Sequence, residues 1–288
     1  MSFKKTISPL VPGFLKTKIN AYRKKVRIEN DAKYFNSLET IGYNIDNLLP
    51  KNDFSFEQVF TSNEINANWE VSKKEVGIFT VPDGTGGVNY GDRRALYYLI
   101  NYFKPATVLE VGTHIGASTV NVASALYHSR IKNKKSASLI TIDIKDVNSE
   151  TEKPWLHYGN DLSPRQMIDK LGYKDFVEFK VGPSLDFLKQ NNQKFDFIFL
   201  DGDHSATTVY QEIPAALKML NKGGVILLHD YFPDLEPLWS NGNVIRGPFM
   251  ASQRLVQEGV GFEVLPLGKL PWPTKLDSNM TSLALVMA

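Results

Sequence analysis

The chain has 288 residues, 42% of them hydrophobic and 22% charged, enough for a large core and unlike disordered, collagen-like or coiled-coil chains. No apolar run approaches the roughly 18 residues of a membrane span, and with no cysteine there is no disulfide framework, thiolate zinc site, iron–sulfur cluster or cysteine nucleophile. The net charge of +2 hides an asymmetry, because residues 1–30 hold eight Lys or Arg against one acid, leaving the rest of the chain acidic, which argues against nucleic acid as a partner.

Lys4 and Lys5 precede an apolar stretch broken by Pro9, Pro12 and Lys16, so no signal peptide is expected and the protein is placed in the cytoplasm. Lys16, Lys18, Arg23, Lys24, Lys25 and Arg27 lie around Phe14, Leu15, Ile19, Tyr22 and Val26, a spacing that makes a basic amphipathic helix. Such a helix packs its apolar stripe on the main domain or stays a terminal arm, with peripheral contact to an acidic membrane surface as the alternative. Residues 31–90 carry short apolar clusters separated by Asn, Asp, Pro and Gly. We read 1–90 as a largely helical extension, a lid or dimer arm, and expect a homo-oligomer.

The main domain, 91–288, opens with helical spacing over 92–103 and then alternates short apolar strands with amphipathic helices, the pattern of parallel strands and crossover helices. Strands are predicted at 107–111, 138–144, 176–181, 195–201 and 224–229, and helices at 116–130, 164–171, 184–191 and 206–220. Pro214 should kink the last of these or begin a second segment. A helix at 248–258 and strands at 262–267 and 282–287 complete a doubly wound, mostly parallel seven-stranded α/β sheet with an antiparallel edge. Ligands of such sheets bind beyond the carboxyl ends of the strands.

The first strand runs into Glu110-Val111-Gly112-Thr113-His114-Ile115-Gly116-Ala117-Ser118, a glycine turn lacking the middle glycine that makes room for a pyrophosphate. Asp143 ends the second strand, where a carboxylate accepts both hydroxyls of a ribose. Together they point to an adenosine-containing cofactor and away from a nicotinamide dinucleotide. The plainer reading is a tight turn and an acid capping a loop.

On these residues the chain resembles class I S-adenosylmethionine-dependent methyltransferases, whose first motif is E-x-G-x-x-x-G and whose second is an acid after the next strand. The resemblance implies that Glu110, Gly112, Thr113, Gly116 and Ser118 hold the methionine part of S-adenosylmethionine and that Asp143 holds its ribose. It also implies that Ser184 lies by the adenine and that Asn89 and Tyr90 meet the methionine end.

Two later strand ends, Asp201-Gly202-Asp203-His204-Ser205 and His229-Asp230-Tyr231, gather acids and histidines. They are similar to those of cation-dependent O-methyltransferases acting on catechols and macrolide sugars, which implies a divalent cation, magnesium or manganese, on Asp201, His229 and Asp230. The same resemblance implies that Asp201 also serves the cofactor site and makes His204 the base, with the acceptor a small molecule, a sugar or sugar-bearing metabolite. That family usually has Asp or Glu where this chain has His229, and imidazole suits zinc, manganese or iron better than magnesium. The chemistry is coherent without the analogy, since a hydroxyl is a poor nucleophile at neutral pH, and a bound cation stabilises its alkoxide while a nearby imidazole takes the proton. Alternatives stay open: His229 as a strand-end histidine bonded to Asp201 or Asp203, His204 exposed beside a helix cap, a phenolic acceptor methylated without metal, or a non-catalytic binding protein on the cofactor fold.

Overall fold

A computed structural model describes residues 13–79, 81, 85, 87–259 and 261–288, the side chains of 13–18, 20, 21 and 24 excepted. Lys4, Lys5, Pro9, Pro12 and the side chains of Phe14, Leu15, Lys16, Lys18 and Lys24 lie outside the described residues. The expected basic helix is present as α1 (Gly13–Ser37).

Seven strands, β1 (Thr107–Val111), β2 (Ser138–Asp143), β3 (Val177–Val181), β4 (Phe195–Leu200), β5 (Leu220–Leu228), β6 (Glu263–Pro266) and β7 (Ala284–Met287), form one sheet in the order β3-β2-β1-β4-β5-β7-β6. Strands β1 to β5 pair in parallel, while β7 runs antiparallel to both β5 and β6. The central strands β1 and β4 and the second half of β5 read as apolar runs because both their faces are covered. Val108, Phe197, Phe199, Val225 and Leu227 face one layer, with α4 (Tyr90–Phe103) and α5 (Ala117–Ser129). Leu109, Val111, Ile198, Leu200, Ile226 and Leu228 face the other, with α8 (Ala206–Lys218) and α9 (Gly247–Glu258). The shorter helices α6 (Pro164–Lys170) and α7 (Ser184–Gln190) complete the crossovers.

Residues 38–90, opaque to periodicity, fold onto this frame. Helices α2 (Phe56–Phe60) and α3 (Asn63–Val76) begin at Ser55 and Ser62, whose hydroxyls accept the amides of Gln58 and Ile65 at 3.3 Å, ordinary N-caps. Val59, Phe60, Ile65 and Trp69 are buried in the layer that holds Leu96, Tyr98 and Trp272. Upstream, Leu48 bridges Gly224, and Lys51 and Leu49 exchange backbone bonds with Ala288, so this segment closes the base of the sheet.

Of the two alternatives expected at Pro214, a second helical segment is excluded, because α8 runs through it as a single helix. Proline removes one N–H, the donor that would reach the Tyr210 carbonyl, while burial of Ile213, Ala216 and Leu217 on the same face holds the remaining turns.

The strand order reverses between β1 and β4, which places a crevice beyond their carboxyl ends. Gly112 shows why glycine is needed there: its φ is +99°, and a Cβ would stand 2.2 Å from the Asp201 carbonyl oxygen. The glycine thus lets the ends of β1 and β4 meet, in addition to exposing backbone to the crevice.

Candidate active site

A cleft of about 740 Å³ opens at this switch point. Gly112, Thr113, Ser118, Asp143, Ser184 and Asp201 all line it, so six residues from four separate strand ends converge on one cavity. Gly116 turns the chain into α5 with φ +78°. Asp143 accepts the backbone N–H of His114 at 2.9 Å on one oxygen and that of Lys145 at 2.9 Å on the other. His114, at φ +46°, presents its ring to the edge of Tyr158. Burial pulls its pKa below the ordinary histidine value, with the Asp143 charge opposing.

Other expected cofactor residues sit behind the wall. Glu110 is fully buried, its Oε2 accepting the hydroxyls of Thr119 at 2.5 Å and Thr141 at 2.6 Å, while Oε1 has no partner. Burial pushes its carboxyl up to about 7, against the opposing pull of hydrogen bonds from Ser118, Thr119 and Thr141. Thr141 also pairs with Thr113 at 2.6 Å, so Glu110 is tied to the cleft through Thr113 and Ser118 and does not line it. Asn89 caps α4, accepting the Asp92 amide at 3.0 Å, and Tyr90 packs against Trp69; neither lines the cleft. Ser184 lines the cleft and donates to Glu212, whose carboxyl burial raises to about 7.

At the ends of β4 and β5, Asp201, His229 and Asp230 each present a ligand atom, all within 4.8 Å of one another. His229 Nδ1 lies 2.7 Å from Asp201 Oδ1 and 3.7 Å from Asp230 Oδ1. His204 Nε2 stands 3.4 Å from Asp230 Oδ2, on the cleft side. Asp230 reaches this position at φ +53°, a left-handed turn that aspartate tolerates better than most side chains. Burial alone would depress the His229 pKa, but the Asp201 and Asp230 carboxylates outweigh it and hold the imidazole well above its ordinary value. A cation held by these residues would compete with that proton for Nδ1.

The plainer readings of both histidines are also visible. His229 does bond Asp201, and Ser205 does cap α8, accepting the Thr208 amide at 3.2 Å.

Asp92 is the residue that sequence reasoning missed. Its carboxylate, fully buried in the first turn of α4, takes Asn89 Nδ2 at 2.6 Å and the Thr281 hydroxyl at 2.5 Å. Its Oδ2 faces His229 Nε2 at 3.4 Å, and that nitrogen is buried without a hydrogen-bond partner. A carboxylate behind one imidazole nitrogen directs the other toward a metal. The two-oxygen, one-nitrogen donor set fits a divalent cation, with the Asp92 carboxylate standing behind the ring. No local motif marks Asp92, because it looks like any acid in a first helical turn.

Residues 109–231 match a family model described as a methyltransferase domain. The chain is 27% identical over 137 residues to caffeoyl-CoA O-methyltransferase 1 of Zea mays, covering 46% of this chain and 45% of that protein. It is 26% identical over 180 residues to caffeoyl-CoA O-methyltransferase 5 of Nicotiana tabacum, covering 60% and 63%. The chain thus spans between about half and just under two thirds of the length of these curated relatives. The cofactor-bound structure of Rv0187 from MTB shares the fold, with a TM-score of 0.50 and 19% identity over 83% of this chain and 96% of that one. Among the described residues, no helix is long and apolar enough to cross a membrane.

Proposed function

We propose that this chain, whose residues 109–231 match a methyltransferase-domain model, transfers a methyl group from S-adenosylmethionine to a hydroxyl of a small polar acceptor. The observation that carries the reading is the convergence of Asp201, His229 and Asp230 beside His204 at the edge of the glycine-turn cleft. A binding module has no need of a base beside three cation ligands at the mouth of a cofactor cleft.

In this reading S-adenosylmethionine lies along the cleft with its ribose on Asp143 and its methionine end by Gly112, Thr113 and Ser118. The cofactor supplies an electrophilic methyl on a sulfonium. A divalent cation on Asp201, His229 and Asp230 supplies Lewis acidity that favours the ionised acceptor hydroxyl. His204 takes the hydroxyl proton, and the Asp230 carboxylate, 3.4 Å from its Nε2, stabilises the imidazolium that results. The nucleophile then has to be held in line with sulfur and methyl, a task for the walls of the cleft.

The acceptor is proposed to be a sugar or sugar-bearing metabolite. A phenolic acceptor is the second reading, favoured by the two curated relatives named for caffeoyl-CoA.

Calorimetric titration of metal-stripped protein with S-adenosylmethionine, with NADH as control ligand and with or without manganese, tests the proposal. Micromolar binding of S-adenosylmethionine but not NADH, and a manganese affinity lost in Asp201→Asn, are the expected results. Absence of S-adenosylmethionine binding sinks the enzyme reading.

A further inference from the structure

The N-terminal helix is fastened to the domain at its carboxyl-terminal half. Asp31 accepts the backbone N–H of Ala206 at 2.9 Å and of Thr207 at 3.1 Å, so a carboxylate from another helix satisfies the first amides of α8. One turn on, Phe35 is buried edge-on against Tyr210, and Arg254 donates to the carbonyls of Phe35 and Leu38 while its guanidinium lies over the Phe35 ring. Residues 27, 31 and 35 are spaced at i, i+4 and i+8 and share one face of the helix. The face that docks α1 therefore carries Arg27 one turn beyond Asp31, and Arg27 lines the cleft beside Asp203, His204, Ser205 and Thr208.

No carboxylate neutralises it. Among the described residues Arg27 forms no hydrogen bond or ion pair, and the nearby acids are occupied. Asp203 takes the Ser205 amide and the hydroxyls of Ser205 and Thr208, while Asp201 and Asp230 face His229 and His204. Its neighbours in the cleft come from a different strand end than the glycine turn. Gly112–Ser118, Asp143 and Ser184 follow β1, β2 and β3, whereas Arg27 comes in beside the loop after β4, which carries His204 and Asp201. A guanidinium with five donors in a planar fork suits a carboxylate or phosphate.

We infer that Arg27, on the α1 face that Asp31 docks beside the cleft, is a specificity residue that pairs with an anionic oxygen group, carboxylate or phosphate, on the acceptor. The inference rests on the methyl-transfer reading and names the class of acceptor within it. It also gives α1 a role that neither a membrane contact nor a mobile arm requires.

The test is equilibrium binding to the full chain saturated with S-adenosylhomocysteine, using two matched pairs of probes: 3,4-dihydroxybenzoate against its methyl ester, and glucose 6-phosphate against glucose. At least one anionic probe should bind about tenfold tighter than its neutral partner, and which pair shows the preference separates carboxylate from phosphate. Arg27→Gln should bring that ratio to about one while leaving S-adenosylhomocysteine affinity unchanged. Lys25→Gln, which removes an exposed charge 3.8 Å from Glu29 on another face of α1, should keep the preference. Equal affinity within both pairs, absence of all probe binding included, overturns the inference. A preference that survives Arg27→Gln, or a variant that loses S-adenosylhomocysteine affinity, does the same. Failure of the wild type to bind S-adenosylhomocysteine is a distinct outcome that removes the underlying methyl-transfer reading first.

Discussion

The two sides of the cleft are built from different materials. On the side of β1, β2 and β3 the shape comes from backbone: a glycine turn at φ +99° and +78°, amides from His114 and Lys145 on Asp143, and one buried acid beneath. On the side of β4 and β5 it comes from the charged side chains of Asp201 and His204, backed by the buried His229 and Asp230, with partners supplied from remote parts of the chain. The first kind of surface is rigid by covalent geometry and suits a ligand that every turnover shares. The second is set by mutual electrostatics, and replacing one member changes its chemistry without dismantling the fold.

The sharpest way to break this contrast is to remove His204, the proposed base. His204→Ala should lower kcat by about 10²–10⁴-fold and leave S-adenosylmethionine affinity unchanged, measured by single-turnover kinetics and calorimetry. A matching loss of cofactor affinity would show that the two sides are not separable.

On the backbone side the expected effect is on stability. Glu110 titrates at about 7 inside the fold against an ordinary 4.5, so its stabilising protonated form persists below pH 4.5 and its contribution is lost as pH rises through 7. That corresponds to about 3 kcal/mol between the two limits. Urea denaturation at pH 4 and pH 8 should show wild type losing stability relative to Glu110→Gln over this range. A constant difference between the two proteins across pH would contradict the burial cause assigned to Glu110.

The smallest effect separates positioning from ligation. Asp92→Asn should weaken manganese affinity by about 10–100-fold while S-adenosylmethionine still binds, and the Nε2 resonance of His229 should shift in the metal-free protein. Unchanged affinity together with an unshifted resonance would reduce Asp92 to a packing residue held by Asn89 and Thr281.

Much of this architecture could be read before any coordinates. The alternation of apolar strands and amphipathic helices after residue 105 matches the observed elements within a few residues, because parallel strands buried on both faces leave an unmistakable composition. Residues 38–90 could not be read in this way. Helix α2 is short, α2 and α3 are each capped by a single serine, and they owe their stability to burial of Phe60 and Trp69 among side chains from the rest of the chain. The single course of α8 through Pro214 was likewise hidden, since tertiary burial outweighs the one missing hydrogen bond.

The sequence by itself determined the sheet, the glycine turn and the carboxylates and histidines at the strand ends, because those features depend on local spacing: a turn needs its glycines in order, and a strand end fixes which residue meets the cleft. Only the tertiary structure decided what stands behind them. Asp92 meets Thr281 across 189 positions, and Asp31 reaches the amide of Ala206 across 175. Such pairings leave no periodic trace, since their geometry exists only once the sheet has brought distant helices and loops to the same edge.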